Sequence, residues 1–142
     1  MKGHRAEATI YIGRVVTAVG ASSNFGVLVP ADGTVLPLGI SGSSMKYPPI
    51  ENLVGSSLTD VHAESGDPCV VHGANDDDVD NSTVLGWIGG SVTRGTALMA
   101  AADGSGKLIT ATANKYVVAV ADMSASNGEI VPVTPVSPYI FA

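Results

Sequence analysis

The chain has 142 residues, which fits one domain or one domain plus an arm, and it can bury roughly two thirds of its unfolded surface. Acidic side chains number 13 against 7 Lys and Arg, and residues 51–80 hold eight acidic and no basic side chains. Because phosphate binding needs clustered cations, we expect no nucleic-acid partner. Cys69 is the single cysteine, which excludes an intrachain disulfide and an all-cysteine metal site.

The composition favours an all-β protein. Seventeen Gly and eight Pro indicate many turns, and with only two Phe and one Trp the core must consist mainly of Val, Ile, Leu and Ala. No apolar run approaches the ~20 residues of a membrane span, so no membrane partner is expected. Glu7 and Arg14 interrupt the apolar stretch near the N-terminus, which argues against a signal peptide.

The N-terminal region begins with a stretch rich in β-branched residues. Residues 8–19 predict one or two strands because such side chains fit a pleated sheet. Two further apolar runs, residues 24–30 and 34–38, flank the turn sequence 31–33 and predict a hairpin. Prolines confine both runs to strand ends or sheet edges.

Residues 39–49 are rich in Gly, Ser and Pro, which is typical of an exposed connection. Residues 50–58 fit either one short helical turn or a strand. Gly66, Asp67 and Pro68 predict a turn. Residues 69–72 then predict a short strand, the first of a C-terminal unit.

An acidic loop is predicted over residues 74–82 and a strand over residues 83–88. Between residues 92 and 133, four short apolar runs alternate with turn-forming residues, which predicts a compact antiparallel meander or small barrel. Asp103, Gly104 and Gly106 favour a hairpin between the strands around Leu98 and Ile109.

Asn127 and Gly128 form the strongest two-residue hairpin signal in the chain. They predict a hairpin that joins residues 116–121 to residues 129–133. Beyond this hairpin, prolines at every third position of residues 132–138 predict an extended segment without a regular ladder.

The chain therefore predicts a small antiparallel β-barrel or sandwich with an N-terminal β-hairpin region and an extended C-terminal tail. We divide it into a β-rich N-terminal region, residues 1–65, a barrel-like unit, residues 66–134, and an apolar tail, residues 135–142.

The tail ends on Tyr139, Ile140 and Phe141. An extended, apolar tail suits strand addition or pocket insertion on a neighbouring chain. Burying two such side chains stabilises a complex by roughly 3–6 kcal/mol before ordering costs. The tail could equally fold back on its own barrel.

In the acidic loop, Asp76, Asp78 and Asp80 alternate like the first ligands of a calcium loop. However, the sixth position is Asn81 rather than Gly, and the twelfth is Trp87 rather than Glu. We predict a solvated acidic loop.

His62, Cys69 and His72 offer nitrogen and sulfur ligands for zinc, but a fourth ligand at a recognisable spacing is missing. Successive strand residues alternate in direction, so Cys69 and His72 point to opposite faces. We predict a buried thiol and a surface imidazole, and neither a metal nor a cofactor.

No enzyme pattern is complete. Residues 104–107 lack the flanking residues of a phosphate loop, and no serine follows a nucleophile-elbow pattern near Asp60 and His62. Trp87, Tyr116 and Tyr139 are predicted to be core or interface aromatics, because no cations are interleaved with them. We therefore expect a protein that is not an enzyme.

Four segments carry a resemblance to a known family: residues 66–71, 92–98, 103–107 and 116–121. In this turn and strand pattern, residues 66–134 resemble the tailed-phage capsid decoration proteins of the small β-barrel kind, also called cement or head-stabilising proteins. The chain departs from the pattern at Ala119, where a glycine often stands, in its acidic insertion at 75–81, and in its long N-terminal half.

The resemblance implies a structural protein on the outer capsid surface of a virion. Such proteins bind assembled icosahedral shells, often as trimers, and clamp neighbouring major-capsid subunits without catalysis. The implied partners are the major capsid protein and further copies of this chain. Candidate subunit or capsid interface residues lie near both ends: Ile10, Tyr11, Pro135, Tyr139, Ile140 and Phe141.

Two other functions are compatible with the sequence. One is a different virion surface module, such as a fibre or adhesin-like protein that binds carbohydrate. The other is an enzyme subunit with few motifs, which a metal or cofactor retained through purification would favour.

Overall fold

The computed structural model describes residues 4–19, 25–46, 60–74 and 84–142. These residues form thirteen β-strands and no α-helix, so the all-β class is confirmed. The strands are β1 (His4–Ala6), β2 (Ile10–Tyr11), β3 (Val15–Ala18), β4 (Gly26–Leu28), β5 (Gly39–Ser41), β6 (Val61–Ala63), β7 (Pro68–Cys69), β8 (Val71–His72), β9 (Val84–Trp87), β10 (Ala97–Ala100), β11 (Leu108–Thr110), β12 (Tyr116–Ala121) and β13 (Ile130–Ile140).

The N-terminal strands form a six-stranded sheet in the order β7-β1-β4-β3-β5-β8. The outermost strands β7 and β8 are consecutive in the chain and separated only by Val70, so the sheet curls into a nearly closed barrel. Strands β2 and β6 pair separately. The core between these elements consists of small apolar side chains: Ala6, Ile10, Val16, Val27, Ala63, Cys69 and Val71.

The C-terminal strands form an antiparallel sheet in the order β11-β10-β12-β13-β9. Ile88, which directly follows β9, makes a parallel bridge to Leu108 of β11 and closes the sheet into a five-stranded barrel. The expected small barrel is therefore confirmed. Its interior includes Val84, Ile88, Leu98, Ala100, Leu108, Val118, Ala121, Val131 and Val133. Val15 and Ile40 of the N-terminal sheet join this cluster, so the two barrels share a core.

The N-terminal predictions were only partly correct. Residues 8–19 form the two strands β2 and β3, as expected. The hairpin between residues 24–30 and 34–38 was wrong, because β4 pairs with β3 and β1 and residues 34–38 form no strand. Pro37 lacks the N–H group that a ladder needs. The hairpin of this region consists of β3 and β4.

The exposed connection predicted over residues 39–49 was wrong at its start. Gly39–Ser41 forms the buried strand β5, although residues 43–46 are exposed. The glycine was interpreted as a loop signal, but it allows β8 to approach closely, since a Cβ atom at Gly39 would meet the carbonyl oxygen of His72. Residues 47–58 and the acidic segment 75–81 lie outside the described residues.

The strand predicted over residues 69–72 is divided into β7 and β8, and both pair within the N-terminal sheet rather than the C-terminal unit. The turn before them is confirmed, with Gly66 at a φ of +93°. The division of the chain into three units stays a prediction.

The hairpin between Leu98 and Ile109 is confirmed as β10 and β11, with Gly104 and Gly106 at positive φ in its turn. Strands β12 and β13 also pair as predicted, but the nearest pair is Ala121 with Val133, so the connection is longer than two residues. The Gly128 N–H instead donates to the Ile88 carbonyl oxygen at 2.8 Å. This turn directs β13 onto β9.

The tail is extended, as predicted, and its ladder is irregular, but its prolines do not keep it out of the sheet. Strand β13 pairs with β12 as far as Ile140. The register shifts between the pairs Ala119–Pro135 and Val117–Tyr139, and Pro138 lies within this irregular segment. A bulge tolerates proline because its backbone N–H groups are not needed for the ladder.

Gly39→Ala should lower the free energy of unfolding by about 1–3 kcal/mol, because the new methyl group would separate β5 from β8. Urea denaturation measures this change. Gly90→Ala is the control, since its Cβ atom would lie 3.7 Å from Ile109 Cγ2, and it should change stability by less than about 0.5 kcal/mol. Equal stability of the two variants would contradict the close approach.

Candidate interaction surface

The predicted interface residues lie in different environments. Ile10 is fully buried in the N-terminal core, so it presents no surface to a partner in this fold. Tyr139 and Ile140 are 48% and 49% exposed. Tyr11 and Phe141 are half-buried. Contact of any of these residues with a partner stays a prediction.

The end of the chain is fixed to its own barrel. The Phe141 N–H donates to the Lys115 carbonyl oxygen at 2.8 Å, and the Asn114 N–H donates to the Phe141 carbonyl oxygen at 2.9 Å. Asn114 has a φ of +66°, which turns the chain towards β12. The structure thus shows the tail folded back on its own barrel, which is one of the two predicted arrangements.

An apolar cluster covers part of the barrel exterior and is called the outer cluster below. Met99, Ala111 and Val117 are its buried members. Half-buried side chains pack against them: Ala97, Ile109, Val136 and Phe141. Strand residues alternate between the two faces of a sheet, so Leu98 and Val118 enter the barrel while Met99 and Val117 point outwards.

Tyr139 and Ile140 lie on opposite faces of β13. Tyr139 is the cross-strand partner of Val117 and therefore shares the face of the outer cluster. Ile140 is the partner of Tyr116 and points to the other face. Of the two exposed tail residues, only Tyr139 extends the outer cluster.

A second exposed apolar segment was not recognised from the sequence as a surface and is called the apolar loop below. Val35, Leu36 and Leu38 are 37%, 58% and 39% exposed. The Thr17 hydroxyl donates to the Leu36 carbonyl oxygen, and the Leu38 N–H donates to the Val16 carbonyl oxygen. The sequence shows the apolar run but predicts it as one strand of a hairpin at a sheet edge, and not as an exposed surface.

Tyr11 belongs to a stacked cluster where the two barrels meet. The Arg14 guanidinium lies 4.3 Å from the centroid of the Trp87 ring and 5.2 Å from that of Tyr11. The Lys107 ammonium lies 5.8 Å from the Trp87 centroid. Cations are thus interleaved with aromatic rings at Trp87, where the sequence predicted none. The sequence does not show this cluster because its residues are distant along the chain and meet only in the fold.

Two glycines make this junction possible. Gly13 has a φ of +64°, and its carbonyl oxygen accepts the Trp87 N–H at 2.8 Å. Gly106 has a φ of +73°, and its carbonyl oxygen accepts the Val15 N–H at 2.8 Å. A side chain at Gly13 would meet the backbone of β9. The turn after β2 is therefore held between β9 and the β10–β11 hairpin.

Arg14 is 7% exposed and donates from Nη1 to the Ser105 carbonyl oxygen at 2.6 Å. Burial lowers the pKa of Arg14, while Tyr11, Asp60 and Asp103 act in the opposite direction. Arg14 Nε and Trp87 Nε1 are buried and have no hydrogen-bond partner among the described residues. Both atoms are inaccessible from outside, which fits a cluster that joins the two barrels.

The candidate zinc ligands have other roles in the fold. His62 donates from Nδ1 to the Ser44 carbonyl oxygen at 2.7 Å, and its Nε2 accepts the Val70 N–H at 3.0 Å. Burial raises the pKa of the Cys69 thiol to about 11. The described segments contain no group of three His, Cys, Asp or Glu side chains that could hold a metal ion.

The described segments also contain no helix of the length and apolarity that a membrane crossing needs.

Comparisons with known proteins identify the fold. No family model matches the chain, and no curated protein sequence matches it significantly. Among solved structures, it is similar to the crystal structure of the head fiber gp8.5 N base in bacteriophage phi29, with a TM-score of 0.59 and 12% sequence identity. The similarity covers 99% of this chain and 97% of that chain. At this identity it establishes a shared fold, and it includes both barrels.

Replacing Arg14 with Met should lower the free energy of unfolding by about 1–3 kcal/mol, since the stacking on Trp87 and the bond to Ser105 are lost. Denaturation followed by fluorescence of Trp87, the single tryptophan, measures the effect. The exposed Arg94 provides the control variant Arg94→Met. If both variants were equally stable, Arg14 would not join the barrels.

Hydrogen bonds from the Ser105 hydroxyl and N–H hold the pKa of Asp103 below its usual value. The fold therefore favours the ionised carboxylate of Asp103, which stabilises the folded protein at pH values above the ordinary aspartate pKa of about 3.9. This stabilisation is lost as the pH falls through the lowered pKa of Asp103. Ser105→Ala should raise the pKa of Asp103 in an NMR titration. The carboxyl of Asp32, which accepts bonds from Thr34 instead, should titrate unchanged. An unaltered Asp103 titration would contradict this assignment.

Proposed function

We propose that this chain is a structural protein of a bacteriophage virion, carried on the outside of the head. The observation that supports this most strongly is the similarity of nearly the whole fold to a head fiber base. The resemblance of residues 66–134 to capsid decoration proteins supports the same class from the turn and strand pattern. We further propose that the protein works by binding and not by catalysis.

In its more specific form, the proposal is that the protein bridges neighbouring major-capsid subunits and stabilises the shell. A ligand that binds only the assembled lattice stabilises it by mass action. The apolar loop is the proposed contact, because Leu36 is 58% exposed and its backbone is fixed by Thr17. Burial of such a side chain at an interface removes apolar area from water.

A second candidate is the base of a head fibre, which the fold similarity favours directly. A base must remain attached to the shell, but it need not stabilise the shell. The two functions therefore differ in the effect of binding on the capsid. They share the requirement for a specific capsid contact.

The purified protein should cosediment with empty, expanded heads of its phage and saturate at a fixed ratio to the major capsid protein. Leu36→Asp should weaken this binding by about 10- to 100-fold, since burying a leucine contributes about 1.5–3 kcal/mol. Met123→Asp is the control. Met123 is 45% exposed and follows the last residue of β12, whereas Gly33, just before the apolar loop, accepts a hydrogen bond from the N–H of Tyr116 at the first residue of that strand.

The thermal stability of the heads distinguishes the two candidates. A higher melting temperature of saturated heads indicates a stabilising function, and saturable binding without a shift indicates a fibre base. Failure of the folded protein to bind any heads would refute both. Equal binding of the Leu36→Asp variant and the unchanged protein would exclude the apolar loop as the contact.

A further inference from the structure

The turn before β13 contains a reactive pair of residues. Among the asparagines of the chain, only Asn127 is followed by a glycine. The backbone nitrogen that follows an asparagine can attack the carbonyl carbon of the asparagine side chain. Glycine hinders this attack least, because it has no side chain and its backbone rotates freely.

We propose that Asn127 is a site of spontaneous deamidation whose rate is controlled by the closure of the C-terminal barrel at Ile88. The Gly128 nitrogen bonds to Cγ of Asn127 and the bond from Cγ to Nδ2 breaks. Ammonia leaves with the proton that the Gly128 nitrogen gives up. Water then opens the cyclic imide, and the product is either aspartate or isoaspartate.

The closed barrel withholds the attacking nitrogen. The Gly128 N–H donates to the Ile88 carbonyl oxygen at 2.8 Å, and the Ile88 N–H donates to the Glu129 carbonyl oxygen at 2.8 Å. The nitrogen must lose its proton in the reaction, whereas a hydrogen bond to a carbonyl oxygen stabilises the protonated form. The same two bonds prevent the backbone from rotating towards the Asn127 side chain.

The turn is also closed from within. The Ser126 N–H donates to Oε1 of Glu129 at 3.1 Å, and the Glu129 N–H donates to the Ser126 carbonyl oxygen at 3.1 Å. Asn127 itself is exposed, so water reaches its amide without any opening. The Gly128 nitrogen becomes available when the turn separates from Ile88, and this local opening therefore limits the rate.

Ile88 connects the turn to the closure of the barrel. It is fully buried, and it makes the parallel bridge to Leu108 by which β9 and β11 meet. Its backbone thus faces Leu108 as well as the turn at Gly128. A change that loosens Ile88 in the core loosens the partner that holds the reactive nitrogen.

Conversion of Asn127 would act back on the closure. Isoaspartate carries the chain through its Cβ atom, which lengthens the backbone between residues 127 and 128. A longer backbone cannot keep both hydrogen bonds to Ile88 in their present register. Opening of the barrel permits the modification, and the isoaspartate product then favours further opening.

Peptide mapping by mass spectrometry measures the conversion in the full-length protein, kept at neutral pH in buffer or in guanidinium chloride that unfolds it. Asn127 should convert at least about tenfold faster in the unfolded protein, because the folded turn must first open. Asn127→Gln, whose longer side chain would have to form a larger ring, should remain unconverted at this position over the same period. Equal rates in the two solutions, or no conversion of Asn127 in the unfolded protein, would overturn the proposal.

Ile88 and Ile10 provide a matched pair that separates barrel closure from general stability. Both are fully buried isoleucines, Ile88 in the C-terminal core and Ile10 in the N-terminal core. Ile88→Val and Ile10→Val each remove one methylene, a change small enough to keep both proteins folded, which circular dichroism checks.

In buffer, Ile88→Val should accelerate the conversion of Asn127 by about two- to tenfold, and Ile10→Val by less than about twofold. Equal acceleration by the two variants would show that global unfolding controls the site, and would overturn the proposed link to Ile88. Neither measurement involves phage heads, so the result is independent of the proposed function.

Discussion

The closure of the C-terminal sheet through Ile88 and Leu108 is the constraint on which the rest of the structure depends. In a closed barrel, each strand has one face towards the interior and one towards the exterior, and the interior of this barrel is small. Gly86 lies against Leu108 and Val133, so even a methyl group at this position would displace its neighbours. The apolar residues that alternate with the interior ones must lie outside. The outer cluster around Val117 is thus a consequence of closing a barrel whose strands are apolar on both faces.

The same closure creates the junction between the two barrels. The strands that meet are β9 and β11, and the turn after β2 packs between β9 and the β10–β11 hairpin. Arg14 stacks on Trp87 of β9 and donates a hydrogen bond to Ser105 of that hairpin. Stacking suits this position because an arginine side chain buried there still makes favourable contacts through the flat faces of its guanidinium group. The junction is therefore a product of tertiary structure.

The turns could be predicted from neighbouring residues in the sequence, whereas the closure of the C-terminal sheet could not. Gly66, Gly104 and Gly128 occupy positive φ where the turn signals placed them, because such signals act within four residues. The pairing of β4 with β1, and the entry of β7 and β8 into the N-terminal sheet, depend on contacts between distant residues. Gly39 was misjudged for the same reason: its composition fits a loop, and only the approach of His72 reveals a buried strand. Among the predicted interface residues, Tyr139 and Ile140 are exposed. Ile10 was predicted to lie at an interface, but its apolar side chain belongs to the core.

A fold shared at 12% identity is understandable on this basis. A small closed barrel needs alternating small apolar side chains and glycines at close approaches, and many sequences meet those requirements. The interior therefore contains little information about partners. Side chains that the fold does not need, such as Leu36 on the apolar loop and Tyr139 on the outer cluster, are the candidates for carrying that information. These residues are exposed on fixed backbone, a combination that contributes little to the stability of the isolated chain and favours binding to a preformed surface.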